Sequence, residues 1–129
     1  MRYLLDTHVL LWWRADDSRL PHRWDPILGN TEDHDITFSI VSLWEIAIKR
    51  ALGTLKLAIP MADFSRQLQE GHGFRQIKIE PEELDRLQTL PHHHRDPFDR
   101  LLIAQALETG AIAITNDRHW KKYRCKVQW

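Results

Sequence analysis

The sequence predicts an α/β protein in which a mainly parallel sheet lies between two layers of helices. Three observations lead there. Short apolar runs, Tyr3-Leu4-Leu5, Ile36-Thr37-Phe38-Ser39 and Ala111-Ile112-Ala113-Ile114-Thr115, are separated by helical patterns. These runs are largely apolar rather than strictly alternating, as strands covered on both faces are. Helix-start signals follow each run, the order that strand–helix–strand units require. The 129 residues suit one domain, 1–129, with one sizeable core.

In chain order, Tyr3 to Leu5 is a buried strand ending at Asp6-Thr7. Val9 to Trp13 then reads as a helix capped by Asp6 or Thr7, and Asp16-Asp17-Ser18 ends it. Residues 19 to 35 are polar and broken by Pro21, Pro26 and Gly29, a loop with at most a short helix. A second strand covers Ile36 to Ser39. Ser42-Leu43-Trp44-Glu45 is a capping-box pattern, opening a helix to Leu52 that Gly53 stops. Leu43, Ile46, Ala47 and Ala51 form its apolar stripe. Residues 61 to 70 make a short amphipathic helix closed by Gly71 and Gly73. Phe74 to Ile79 alternates as a third strand, and Pro81-Glu82-Glu83-Leu84 opens another short helix with acids in its first turn. Asp96-Pro97-Phe98-Asp99 starts a long helix that is apolar except at Arg100 and Gln105 and ends at Gly110. Asp96 suits its N-cap, Pro97 its first position, and Asp99 falls at its third. A strand over 111–115 follows, then a helical turn over 118–123 and an edge strand from Lys126 to Trp129.

Lys plus Arg and Asp plus Glu balance at 18 each, so net charge advertises no nucleic-acid partner. The one cysteine, Cys125, excludes an internal disulfide and any cysteine-based zinc pattern. An acid at position 6 interrupts any signal-peptide core, and no apolar run approaches the roughly 20 residues of a membrane span. A cytoplasmic location is the expectation.

Four acids carry the functional signal. Asp6 ends the first strand, Glu45 lies in the first turn of the helix after the second strand, Asp99 lies in the first turn of the long helix, and Asp117 follows the strand that this helix feeds. In a parallel α/β sheet all four belong to the same edge, where sites form. Each also has a structural explanation. Asp6 suits an N-cap, Glu45 the reciprocal member of a capping box, Asp99 dipole compensation, and Asp117 a turn. Caps are far commoner than sites, yet separate caps need not share one edge. Crowded carboxylates repel unless a cation neutralises them. Hard oxygen ligands suit Mg²⁺ or Mn²⁺, and such a centre suits phosphodiester hydrolysis.

These stretches resemble the PIN domain family, in particular the VapC-type ribonuclease toxins of bacterial toxin–antitoxin pairs. The resemblance rests on Leu4-Leu5-Asp6-Thr7-His8-Val9-Leu10-Leu11-Trp12, Ser39-Ile40-Val41-Ser42-Leu43-Trp44-Glu45-Ile46, Asp96 to Ala106, and Ala113-Ile114-Thr115-Asn116-Asp117. It implies a PIN-like three-layer α/β/α fold and divalent-metal-dependent endonucleolytic cleavage of RNA. Matched by position, Asp6, Glu45, Asp99 and Asp117 are the catalytic acids, and Asp6, Asp99 and Asp117 the metal ligands. Thr7 and Asn116 match supporting residues, and Asp96 an additional acid of the subgroup. The resemblance further implies a homodimer and a small cognate antitoxin that lies in a groove. The competing reading is a PIN-like module that binds RNA or protein without cutting it. A receiver-type phospho-acceptor domain fits the order of the acids poorly. A haloacid-dehalogenase-type phosphatase needs an Asp where His8 stands.

His92-His93-His94-Arg95 precedes the long helix. A solvated loop explains it. The functional alternative is a basic lip contacting RNA phosphates beside the acids.

Overall fold

The computed structural model describes residues 1–129. Strand β1 (Arg2–Leu5) runs directly into helix α1 (Thr7–Ala15). A 3-10 turn and the one-turn helix α2 (Asp25–Leu28) lead to β2 (Asp35–Ser39) and α3 (Ile40–Ala51). Helix α4 (Met61–Arg66) continues as a π turn to Gly71, followed by β3 (Arg75–Ile77) and α5 (Pro81–Thr89). Helix α6 (Pro97–Thr109) feeds β4 (Ile112–Ile114), a 3-10 segment (Arg118–Tyr123) and β5 (Val127–Gln128). No helix is long and apolar enough to cross a membrane.

The sheet is parallel throughout, in the order β3-β2-β1-β4-β5. Side chains alternate across it as strand geometry requires. Tyr3, Leu5, Ile36, Phe38, Ile112 and Ile114 face a layer containing Val9 and Leu10 of α1, Leu28 of α2 and Phe64 of α4. Leu4 and Ala113 face the other layer, built on Leu101 to Ala104 of α6 with Trp120 and Tyr123. The chain moves from β1 outward to β2 and β3, then returns to the far side of β1 to lay down β4 and β5. The order in which strands are added therefore reverses between β1 and β4, and beyond the carboxyl ends of two such strands is where a crevice is expected.

Helix α6 is held all round. Asp96 accepts bonds from the backbone N–H groups of Phe98 and Asp99, and Gly110 closes the helix at φ 70°, a left-handed conformation that glycine adopts without strain. Gln105, fully buried, donates to the Lys78 carbonyl at 3.0 Å and to Glu83 Oε1 at 3.1 Å, tying α5 to α6. Arg100 reaches back to the carbonyls of Pro91 and Leu90 at 2.8 and 3.3 Å and so fixes the loop before the helix.

Helix α3 departs from the expectation. It starts at Ile40, with Ser39 as N-cap accepting from the Val41 N–H, so Ser42 and Glu45 form no capping box. Two serines three residues apart offered two starts, and the strand passing straight into the helix selected the earlier one. Glu45 is consequently the sixth helical residue, not the third. The inward face comprises Val41, Ser42, Leu43, Glu45 and Ile46, whereas Ala47 and Ala51 are exposed. A helix with Ser and Glu on its buried face is not merely packing a core. Strand β3 is shorter than the 74–79 expected, because residues 78–80 leave the sheet to reach α5.

Leu102 is wholly buried at the centre of the α6 layer. Replacing it with Ala is expected to cost about 3–4 kcal/mol. Urea unfolding should show a lower midpoint with an unchanged slope.

Candidate metal centre

Asp6 stands at the N-cap position of α1, but its carboxylate caps nothing. Its Oδ2 instead accepts a 2.7 Å bond from the Thr115 hydroxyl, across the β1–β4 junction. Thr7 is buried, and its hydroxyl donates to Ser42 Oγ at 2.9 Å, joining the starts of α1 and α3. Glu45 is 2% exposed. Its Oε2 accepts from Lys49 Nζ at 2.5 Å, while its Oε1 is buried without any partner. Asp99 is not needed as a cap, because Asp96 serves α6. Asp117 does cap the following 3-10 segment, through a 2.9 Å bond from the His119 N–H to its Oδ1. Its other oxygen faces inward, 2.8 Å from His94 Nε2. Capping therefore accounts for Asp96 and for half of Asp117, and not for Asp6 or Glu45, while Asp99 keeps its first-turn place at the positive end of α6.

The electrostatics show how closely these acids are gathered. Burial pushes the Asp99 carboxyl up to about 8, and the charges of Asp6, Asp96, Glu45 and Asp117 push in the same direction. Burial also raises Asp6, with Glu45 adding to it and the Thr115 bond only partly offsetting it. Asp117 goes the other way. Burial would raise it, but the His119 N–H and His94 outweigh that and hold it below the ordinary carboxylate range. Lys49 loses solvation yet is raised overall, because Glu45 binds it and Asp96 and Asp99 add their fields.

The donor set fits a hard divalent cation. Carboxylates from four elements lie close enough to repel one another, and Glu45 Oε1 is a buried acceptor with nothing to accept from. Side-chain oxygens of Asp99 and Asp117 lie within 4.8 Å of each other, with a ring nitrogen of His94 equally close. Asp6, Asp99 and Asp117 would hold such an ion, and Glu45 would face it from α3.

Thr115 and Lys49 were not singled out by the sequence, and His94 was singled out only as part of a basic lip. Thr115 supports both ends of the acid set, since its hydroxyl donates to Asp6 and accepts from the Asp117 N–H at 3.0 Å. Asn116, the expected support, is exposed. The register pairs Leu5 with Ile114, so Asp6 and Thr115 are one step further along both strands. Without the register, two adjacent polar residues were indistinguishable. Lys49 lies one turn after Glu45, a helical spacing for ion pairs that the capping-box pattern at Glu45 masks. Within His92-His93-His94-Arg95, three residues are exposed and only His94 turns inward, bridging Asp99 and Asp117.

Known proteins resemble this chain over nearly its whole length. The family model described as "PIN domain" matches residues 3–125. Ribonuclease VapC22 of Mycobacterium tuberculosis is 31% identical over 122 residues, covering 94% of this chain and 91% of that protein. Among solved structures, VapBC2 of Rickettsia felis bound to a promoter DNA fragment superposes with a TM-score of 0.70 at 15% identity, covering 99% of this chain and 98% of that one. DNA-bound VapBC of Salmonella typhimurium gives 0.67 at 10% identity, covering 99% and 97%. With a family match over nearly its whole length and a relative at that level of identity, this chain belongs to the PIN domain family.

Proposed function

We propose that this protein is a divalent-metal-dependent endoribonuclease, the toxin of a toxin–antitoxin pair acting in the cytoplasm. The observation that carries the reading is the convergence of Asp6, Glu45, Asp99 and Asp117 on one crevice, with one buried Glu45 oxygen unpartnered. The similarity to a ribonuclease and to toxin–antitoxin complexes supports the substrate class and a small protein partner. A homodimer is part of the same reading.

Asp6, Asp99 and Asp117 would hold Mg²⁺ or Mn²⁺. When bound, such an ion lowers the pKa of a water and stabilises charge building on the phosphate. The protein's own contributions are positional. Thr115 fixes Asp6 by its hydroxyl, and α6 mounts Asp99 rigidly on a helix packed on every side. Glu45 stays tethered to Lys49, which places one ammonium beside the acids and keeps the second carboxylate oxygen free to orient or accept a proton from the attacking water. In hydrolysis the water oxygen bonds to phosphorus, the ester P–O bond breaks, and the leaving oxygen takes up a proton. His92, His93 and Arg95 are exposed on the loop that carries His94 and suit RNA phosphates.

Antitoxin-free protein should cut RNA with Mg²⁺ or Mn²⁺ and stop on chelation. Asp6→Asn and Asp99→Asn should each slow cutting by about 10²-fold or more. Cutting that survives chelation, or that both variants keep, contradicts the mechanism. RNA bound tightly but never cut would favour a binding module.

A second expectation concerns stability. An acid whose folded pKa is raised binds its proton more tightly when folded, so stability falls as pH rises between the unfolded value, near 4, and about 8. In chelator, Asp99→Asn should therefore gain on the wild type by about 3 kcal/mol between pH 5 and pH 8. Adding Mn²⁺ at pH 8 should stabilise the wild type and leave the variant nearly unchanged. Urea unfolding at both pH values measures this.

A further inference from the structure

His94 is built into the acid crevice more tightly than its position in a loop suggests. Its backbone N–H donates to the Tyr123 hydroxyl at 2.7 Å. That hydroxyl is itself 3.3 Å from Arg100 Nη1, so the loop is pinned to α6 and to the 3-10 segment. The imidazole packs edge-on against His119, centroids 5.3 Å apart. The decisive contact is at Nδ1, which accepts the Asp96 backbone N–H at 3.1 Å. A backbone amide always donates, so Nδ1 carries no proton here. The proton of the neutral ring must then sit on Nε2. That atom lies 2.8 Å from Asp117 Oδ2 and 3.1 Å from Asp99 Oδ2.

This tautomer bears on how His94 can serve the centre. A ring nitrogen that coordinates a metal must present a lone pair, and its partner nitrogen usually carries the proton and donates it to an acceptor. His94 has the reverse arrangement. Its inner nitrogen is an N–H, and its outer nitrogen faces a donor. Coordination through Nε2 would leave a proton on Nδ1 pointing at the Asp96 N–H. The proximity of His94 to Asp99 and Asp117 is therefore that of a hydrogen-bond donor.

We propose that His94 is a substrate-binding catalytic residue that donates its Nε2–H to a non-bridging phosphate oxygen of the RNA, and that it is not a metal ligand. The proposal rests on the ribonuclease reading. When a cation occupies the carboxylate oxygens that Nε2–H now faces, the donor needs another acceptor in the same crevice. A phosphodiester entering there brings anionic oxygens at that place, and a fixed donor aimed at them stabilises the charge that grows on phosphate during attack. The Asp96 peptide thereby gains a role separate from its carboxylate, which caps α6 while the N–H sets the tautomer.

Three measurements on the antitoxin-free protein test this. Long-range ¹H–¹⁵N NMR should find His94 in the Nε2–H form both without and with saturating Mg²⁺. The Mn²⁺ affinity of His94→Ala and His94→Gln, read by electron paramagnetic resonance, should stay within about threefold of wild type, because no ligand is lost. Single-turnover RNA cleavage should slow about 10²-fold in His94→Ala, with about tenfold recovered in His94→Gln, whose side-chain N–H reaches the same region. An Nδ1–H ring with Mg²⁺ bound, or an Mn²⁺ affinity lowered tenfold or more in both variants, makes His94 a ligand and overturns the proposal. Cleavage by His94→Ala at the wild-type rate, or His94→Gln as slow as His94→Ala, also overturns it. A wild-type protein that cuts no RNA sinks the ribonuclease reading and the proposal together, whereas the NMR result needs no RNA.

Discussion

Mutual repulsion among carboxylates at one end of the sheet is the constraint around which this protein is built. Left in water, Asp6, Glu45, Asp99 and Asp117 would spread apart. The fold buries Asp6 and Glu45 almost completely and brings Asp99 and Asp117 beside them. Burying ionised groups without enough counter-charge is unfavourable, and proteins accept it where chemistry needs it. The local compensation is incomplete. Lys49 neutralises one oxygen of Glu45, Thr115 satisfies one of Asp6, and His94 spans Asp99 and Asp117. The rise of Asp99 to about 8 is the remaining tension, and a divalent cation is the group that would relieve it.

The architecture supplies the rigidity that this arrangement demands. The acids sit where the strand order reverses, at the ends of β1 and β4 and on the first two turns of α3 and α6. Helix α6 cannot shift without breaking its contacts with Leu4, Ala113, Trp120 and Tyr123, or the Gln105 bonds to α5. Arg100 extends that rigidity to the loop carrying His94. Each carboxylate is thus carried by an element whose packing lies elsewhere, so repulsion at the crevice is resisted by the core rather than by the site.

Much of this was legible in the sequence, and the failures have physical causes. Apolar strands, proline at the start of α6 and glycine at its end are local signals, and they located the elements to within a few residues. The four acids were found because topology alone puts strand ends and helix starts on one edge. What escaped depended on register or on a choice between near-equal local options. Ser39 and Ser42 both suited a cap, so Glu45 was placed in a capping box it does not form. Asn116 and Thr115 were both polar neighbours of Asp117, and only the pairing of β1 with β4 selects Thr115. Ala47 and Ala51 fitted an apolar stripe, yet the inward face of α3 carries Ser42, which meets Thr7, and Glu45, which pairs with Lys49. Three adjacent histidines gave no hint that the last alone turns inward, since that depends on Tyr123 and Arg100, remote in sequence.

The central claim is that the crevice is poised for a divalent cation, with Asp99 holding a proton that the ion must displace. Calorimetric titration of Mn²⁺ into the antitoxin-free protein at pH 7, repeated in buffers of different ionisation enthalpy, measures both binding and proton release. Binding accompanied by proton release, with less release in Asp99→Asn, is the predicted result. Absence of binding, or binding with no proton released, would contradict the account.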